Sequence, residues 1–256
     1  KDLHYSEHGV TKVDKVNFSI RGGEILGVAG VQGNGQEQLI KAITGLIPFQ
    51  DGTVKLAGTE IQGMNIAQKR DAGMSYIPED RMIDGSAPAA SIQDNLISTC
   101  YEQPKYSGKI FLKQNVIREE SQELIERFSI KTQSEKEKVS ALSGGNIQKV
   151  VVAREWNNKP KLMIAEQPTR GIDIGSAAYI HHQLIDMRNS GAAVLLVSAD
   201  LNEVLKLSDR LIVMYEGEIV AYFPSLKGVT ESQLGLYMLG VEHQSEKEIR
   251  EASYDD

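Results

Sequence analysis

The sequence predicts an α/β fold with a mainly parallel core sheet, an antiparallel β subdomain and a helical subdomain. Three observations carry this. Short apolar runs alternate strictly with helical patterns between Leu162 and Met214. The apolar run Ile25–Ala29 passes through Gly30, Gly33 and Gly35 into a helical pattern, which is the opening of a βα unit. The stretches near Phe18 and Val54 fall outside that succession and read as antiparallel additions.

Each element has its own signal. In residues 13–20, Val16, Phe18 and Ile20 alternate as in a strand, and a turn follows at 21–24. Leu3 and Tyr5 read as the tail of a strand already under way. Leu39, Ile40 and Ile43 mark the helix after the glycines. Asp51-Gly52 is a turn before Val54 and Leu56, and Pro78 should end the element that holds Tyr76 and Ile77. Residues 81–115 are less regular, with Pro88, Pro104 and a Tyr106-Ser107-Gly108 turn. Ser121, Leu124, Ile125 and Phe128 share one face of a helix over 116–128. A charged loop at 131–140 and a helix over 146–156 follow. Strands at 162–165, 193–197 and 211–214 then alternate with helices at 176–189 and 201–207, an order that implies a parallel sheet covered by helices. Glu216-Gly217 turns the last strand into Ile219-Val220. Thr230 with Gln233 forms a capping box for a helix through Leu239. The polar tail His243–Asp256 is either frayed or a helix that needs a partner.

Composition excludes several classes. Lys plus Arg is 28 and Asp plus Glu is 35, so a net charge of −7 argues against broad nucleic-acid binding. The single Cys100 leaves no internal disulfide and reads as a small core hydrophobe. No apolar run reaches the ~18 residues of a bilayer span, and no signal peptide is visible. A length of 256 residues suits one large domain or two modest ones. The chain opens on Lys1 within a strand pattern, so it is expected to be part of a longer protein.

The segment Gly30-Val31-Gln32-Gly33-Asn34-Gly35-Gln36-Glu37 has the glycine spacing of a triphosphate loop. Glycines let the backbone wrap, and the helix N-terminus adds positive potential. Such a loop also needs a lysine for the outer phosphates and a hydroxyl for magnesium. Here those positions hold Gln36, which brings no charge, and Glu37, which brings a carboxylate. Further along stand LSGGNIQK at 142–149, with Ser143-Gly144-Gly145 opening a helix, and KLMIAEQPTRGID at 161–173. The last piece is Leu195-Leu196-Val197-Ser198-Ala199-Asp200. Singly these read as a helix cap, a buried strand, a turn and a strand end. Four in this order do not arise by chance.

On these residues, over about 3–223, the sequence resembles the ATP-binding cassettes of ABC transporters, which implies a P-loop nucleotide-hydrolase fold. IPEDR at 77–81, LSGGNIQK and AEQPTRGID resemble most closely the second cassette of tandem-cassette importers for simple sugars and nucleosides. GNGQ favours the nucleoside branch of basic-membrane-protein type. The resemblance implies one cassette over 1–240, a helical subdomain at about 88–156 and a polar tail at 241–256. It places Gly30, Gly33, Asn34, Gly35, Gln36, Glu37, Glu79 and Glu166 at the nucleotide, with Glu166 at the magnesium-associated position. Glu79 stands where the family has a lid glutamine beside the membrane subunits. Tyr5 lies near the adenine-stacking aromatic, with His4 and His8 close by. Gln167 replaces the water-polarising glutamate, Ala199 the switch histidine, and Asp173 falls in the loop between domains. Leu142, Ser143, Gly144, Gly145 and Asn146 form a signature that completes a partner cassette's ATP site.

The expected reading is therefore a cassette whose own site is hydrolytically dead and weak for ATP, because an amide cannot take water's proton. ATP and Mg²⁺ belong to the full dimer. The implied partners are another cassette, the N-terminal half of the same chain, with transmembrane permease subunits and, indirectly, an external binding protein. Nucleic acid is not among them, and the place is the cytoplasmic face of the membrane. The competing readings are a stand-alone ABC-type ATPase and a non-transport regulator sharing the fold. A P-loop enzyme of another superfamily is disfavoured by LSGG.

Overall fold

The computed structural model describes residues 1–252. The chain divides into two compact units. One holds Lys1–Tyr76, Lys161–Gln167 and the chain from Ile185 onward; the other holds Ile77–Pro160 and Pro168–Leu184.

The first unit begins with the antiparallel pair β1 (Leu3–Glu7) and β2 (Val10–Val16). Then come β3 (Ile25–Ala29), α1 (Gln36–Thr44), the two-residue strands β4 (Lys55–Leu56) and β5 (Thr59–Glu60), α2 (Ile66–Asp71) and β6 (Met74–Ile77). In the second unit lie α3 (Ile92–Ile97), α4 (Gln114–Arg127) and α5 (Gly144–Asn157). The remaining elements are β7 (Leu162–Glu166), α6 (Ile174–Asn189), β8 (Ala193–Val197), α7 (Leu201–Leu207), β9 (Arg210–Tyr215), β10 (Glu218–Phe223), α8 (Glu231–Met238) and α9 (Glu246–Arg250).

The main sheet has the order β10-β9-β3-β8-β7-β6. β3 pairs in parallel with β8 and β9, and β7 with β8, while β10 returns antiparallel to β9. All five residues of β3 and of β8 are buried, as the unbroken apolar runs require of strands covered on both faces. β9 shows the period of two. Ile212 and Met214 join a core with Leu26, Leu39, Ile40 and Val13, while Leu211 and Val213 join a second core with Val204, Leu234 and Met238. The predicted α/β class and the antiparallel and helical parts are all present.

Three expectations need correction. The strand predicted over Val16–Ile20 ends at Val16. The pairing runs out at Leu3↔Val16, so no partner remains for Phe18 and Ile20, which pack half-buried against the core without sheet hydrogen bonds. The irregular stretch 81–115 contains α3, capped by the Ser91 side chain on the Asp94 N–H and buried through Ile92, Leu96 and Ile97. Of the two alternatives for the tail, the frayed one is corrected up to Ala252 and the helix that needs a partner is the one observed. Ser245 caps α9 in a capping box with Glu248, the Gln244 side chain accepts from the Tyr222 N–H at 2.6 Å, and Ala252 is buried. The rest of the predicted tail, 253–256, lies outside the described residues.

Arg210 explains why the tail docks. This buried side chain donates to the Tyr222 hydroxyl at 2.8 Å, to Glu24 at 2.7 Å and to the carbonyls of Ser19 and Ala252 at 3.2 and 3.0 Å. One guanidinium thus ties the loop before β3, the antiparallel edge and the C-terminal segment.

In the second unit α3 packs on α4 and α5. Phe128 meets Trp156 and Tyr179 edge-on, at 5.9 and 6.5 Å, and Arg127 lies 3.5 Å over the Trp156 ring. Cys100 is buried, as expected, beside Ile97, Tyr106 and Ile117. Glu120 takes hydrogen bonds from the buried Tyr106 hydroxyl and from Asn157 at 2.8 Å, and an ion pair from Lys105. Burial by itself would raise the Glu120 carboxyl, but Lys105, Tyr106 and Asn157 outweigh it and hold it below the usual range. Burial, and then Glu120, push the Tyr106 hydroxyl up.

Two stability predictions follow from these networks. Arg210→Met should lower unfolding stability by about 3 kcal/mol, because it removes the buried cation that donates to Glu24 and two carbonyls. Urea titration checks this; a loss below about 1 kcal/mol would show that the network is dispensable. Glu120 has a depressed folded value, so its contribution is present above about pH 4.5 and is lost as pH falls through the folded value. Glu120→Gln should therefore flatten the acid limb of a stability profile below that pH. An unchanged limb would place the acid sensitivity elsewhere.

Candidate functional site

The residues singled out in the sequence divide between the two units. Gly30, Gly33, Asn34, Gly35, Gln36, Glu37, Glu166, Gln167 and Ala199 lie in the first; Glu79, Leu142 to Asn146 and Asp173 lie in the second.

The loop leaves β3 in a crowded place. A Cβ on Gly30 would meet the Gln36 Nε2 at 1.8 Å and the Met214 carbonyl at 2.8 Å. On Gly35, at φ +100°, it would meet the Lys12 carbonyl at 2.3 Å. Gly33 has open space around it, and its φ of +95° alone asks for glycine. Gln36 does not reach outward. It is buried, and its amide folds back over Gly30 with Nε2 3.4 Å from the Val31 carbonyl. Glu37 forms an ion pair with Lys41 at 2.5 Å, one turn on along α1. Asn34 is tied to neighbouring segments. Its side chain donates to the Met238 carbonyl at 3.3 Å and accepts from the Glu216 N–H at 3.3 Å, and its carbonyl accepts from the Gly217 N–H at 3.0 Å. Tyr5 is buried in the core and presents little ring surface to a stacked base, while His4 pairs with Asp14 at 2.9 Å.

Glu166 ends β7, nearly buried, and accepts from the Tyr76 hydroxyl. Gln167 follows in the left-handed region at φ 46°. Its N–H donates to the Val197 carbonyl at 2.7 Å, and its Oε1 accepts from the Ala199 N–H at 3.1 Å. The amide at the expected general-base position therefore braces the end of β8 against the end of β7, and Ala199 supplies only its backbone.

In the second unit, Ser143 caps α5 and accepts from Asn146 through both the N–H and the side-chain amide, at 3.4 and 2.9 Å. Asn146 Oδ1 accepts from the Lys131 N–H at 2.9 Å, and Leu142 forms the bend before the cap. Asp173 accepts from the Ser176 N–H and hydroxyl, at 2.9 and 2.7 Å, and these bonds hold its carboxyl below the usual range. Glu79 forms an ion pair with Arg170.

For a magnesium triphosphate the donor set is thin. The loop has no cation; the Gln36 amide fills the hollow over Gly30; and Glu166, already accepting from Tyr76, offers one carboxylate where magnesium commonly uses one or two with the phosphates. Sequence reasoning did not foresee the folded-back Gln36, the Tyr76–Glu166 bond or the placement of Arg81. Only the last had a signal, the arginine of IPEDR.

The ABC transporter family pattern matches residues 13–170, and the chain belongs to that family. It is 40% identical over 241 residues to the nucleoside import ATP-binding protein NupA of Lactococcus lactis subsp. cremoris, spanning 94% of this chain and 47% of that one. It is 39% identical to the guanosine import ATP-binding protein NupO of Bacillus subtilis, over 91% of this chain and 45% of that one. The chain thus spans about half the length of these curated relatives. A dimeric structure of MJ0796, a bacterial ABC transporter cassette, superposes with a TM-score of 0.76 at 21% identity, over 89% of this chain and 98% of that one. No helix among the described residues is long and apolar enough to cross a membrane.

If the loop is a phosphate site weakened by its own residues, Gln36→Lys with Glu37→Ser should strengthen Mg-ATP binding by about tenfold or more. The change supplies a cation and removes a carboxylate. Calorimetric titration of the two proteins decides it, and equal affinities would show that the loop is not where the phosphates sit.

Proposed function

We propose that this chain is the second, degenerate cassette of a tandem-cassette importer for nucleosides or simple sugars. Its own loop binds ATP weakly and does not hydrolyse it. Its signature segment completes the ATP site of the other cassette, which lies in the N-terminal half of the longer chain and carries the competent loop. The assembly sits at the cytoplasmic face of the membrane on transmembrane permease subunits, and an external binding protein supplies the substrate. The observation that carries the reading is the contrast between the two segments. Gln36 closes over Gly30 where a lysine would reach for phosphate, while Ser143 to Asn146 form an ordered helix start.

Several facts support this. Gln167 cannot act as a base, and its carbonyl oxygen is already engaged by Ala199. The curated relatives named for nucleoside and guanosine import are about twice as long as this chain. A similar solved cassette is a dimer. In the proposed composite site the Ser143 hydroxyl and the N–H groups near Gly144 face the terminal phosphate of the partner's ATP, where backbone donors and the helix N-terminus stabilise negative charge.

The test compares two variants of the complete transporter. Gly144→Asp puts a carboxylate against that phosphate and should cut ATPase turnover and nucleoside uptake by about a hundredfold, with folding preserved because an acidic residue suits a helix N-terminus and the Arg81 guanidinium it displaces is the movable end of a long side chain. Glu37→Ala should change both by less than about threefold, since its pocket is not the working one. Near-normal turnover of Gly144→Asp with loss in Glu37→Ala would reverse the assignment of the two halves.

A further inference from the structure

We propose that Arg81 is a positioning residue for the signature segment, its guanidinium fixing the start of α5 against the turn at Arg170-Gly171. The side chain donates from Nη1 to the Arg170 carbonyl at 2.7 Å and from Nη2 to the Gly171 carbonyl at 3.2 Å. It also lies against Gly144. A Cβ built there would meet Nη2 at 2.9 Å, and Cζ and Nε at 3.5 Å. With Nη2 nearer than Cζ, the side of the group that carries Nε and Nη2 bears on Gly144. The Nε–H is buried without an acceptor, so the group is held by packing and two carbonyls rather than by full hydrogen bonding.

Its backbone is fixed beforehand. Asp80 Oδ1 accepts from the N–H groups of Met82 and Ile83, and the Asp80 carbonyl accepts from Asp84 and Gly85. The Ser86 hydroxyl donates to the Arg81 carbonyl at 2.7 Å, and a Cβ on Gly85 would meet the Arg81 Cα at 2.7 Å. A tight turn thus delivers one arginine to one place. The same Arg170 whose carbonyl it holds is ion-paired to Glu79. On the other side, a Cβ on Gly145 would meet the Ser176 hydroxyl at 2.2 Å and Asp173 Oδ2 at 2.9 Å. The two signature glycines are therefore seated between Arg81 and the Asp173–Ser176 pair. A lysine could not replace Arg81, because it lacks the rigid fork that reaches two carbonyls.

The catalytic consequence rests on the composite-site reading of the previous subsection; the positioning itself does not, and the experiment has an arm for each. In the complete transporter without nucleotide, Arg81→Gln should speed amide hydrogen exchange in residues 143–147 and 169–173, while β3 and β8 keep their protection. Arg81→Lys should do the same more weakly. With ATP, Arg81→Gln should lower kcat by about 10- to 100-fold and leave KM within about twofold, because a displaced donor costs the transition state and not ground-state binding. Melting temperature should stay within about 3 °C of the parent for at least the lysine variant. Unchanged exchange at 143–147 overturns the proposal, and so does a rise in KM equal to the loss in kcat, which would make Arg81 a direct nucleotide contact. Gly144→Asp serves as the control. If it is inactive and both Arg81 variants turn over normally, the proposal falls alone. If Gly144→Asp is fully active, the composite-site reading falls, and the exchange arm still decides the role of Arg81.

Discussion

The exit of β3 is closely confined, and much of the surrounding structure depends on it. The strand leaves the centre of the sheet between the Met214 carbonyl on β9 and the Lys12 carbonyl on β2, and there is no room for a Cβ at Gly30 or at Gly35. Asn34 then joins the β9–β10 turn at Glu216 and Gly217 to the end of α8 at Met238. A strand end, an antiparallel pair and a late helix are in this way held by the loop between β3 and α1. These contacts fix the path of the loop. Its glycines are needed for the fold whatever the loop binds, so a glycine pattern is a better witness to backbone path than to nucleotide binding.

The signature segment follows the same logic in the second unit. Gly144 and Gly145 are usually read as bare donors for an anion. Here each also faces a side chain that occupies the position of its missing Cβ, Arg81 for one and Ser176 with Asp173 for the other. Packing and binding ask for the same residues. These contacts order the helix start from within its own unit, which suits the proposed role of completing another domain's site, since ordering it on contact would weaken the contact.

Much of this was legible in the sequence, and the failures have physical causes. Ile25–Ala29, Ala193–Val197 and Leu201–Leu207 coincide with the observed β3, β8 and α7, because a continuous apolar run or a short capped helix leaves little choice of state. Phe18 and Ile20 alternate like a strand, but alternation reports burial and cannot reveal that the partner strand has run out. The helix at Ile92–Ile97 is only six residues long and lies among loop signals. α9 holds through tertiary contacts of Arg210 and Gln244, which no local pattern contains. At the site, the identities of Gln36, Glu37, Gln167 and Ala199 were readable. Their partners were not, because whether a glutamine reaches out or folds back depends on space beside Gly30 that distant segments create.

The pair Gln36 and Glu37 shows how such a loop remains compatible with a stable fold. A lysine at 36 is tolerable where a phosphate receives its ammonium; folded into the hollow above Gly30 it would be a buried cation facing only the Val31 carbonyl. A glutamine has similar reach, no charge and an amide that can close on that carbonyl, so the hollow is filled without an ion. Glu37 sits in the first turn of α1, where a carboxylate is favoured by the helix N-terminus, and Lys41 one turn later draws it along the helix surface. Both replacements remove the need for a bound anion at the loop. On the proposed reading, in which the work is done by the signature segment, the loop contributes to stability rather than to chemistry.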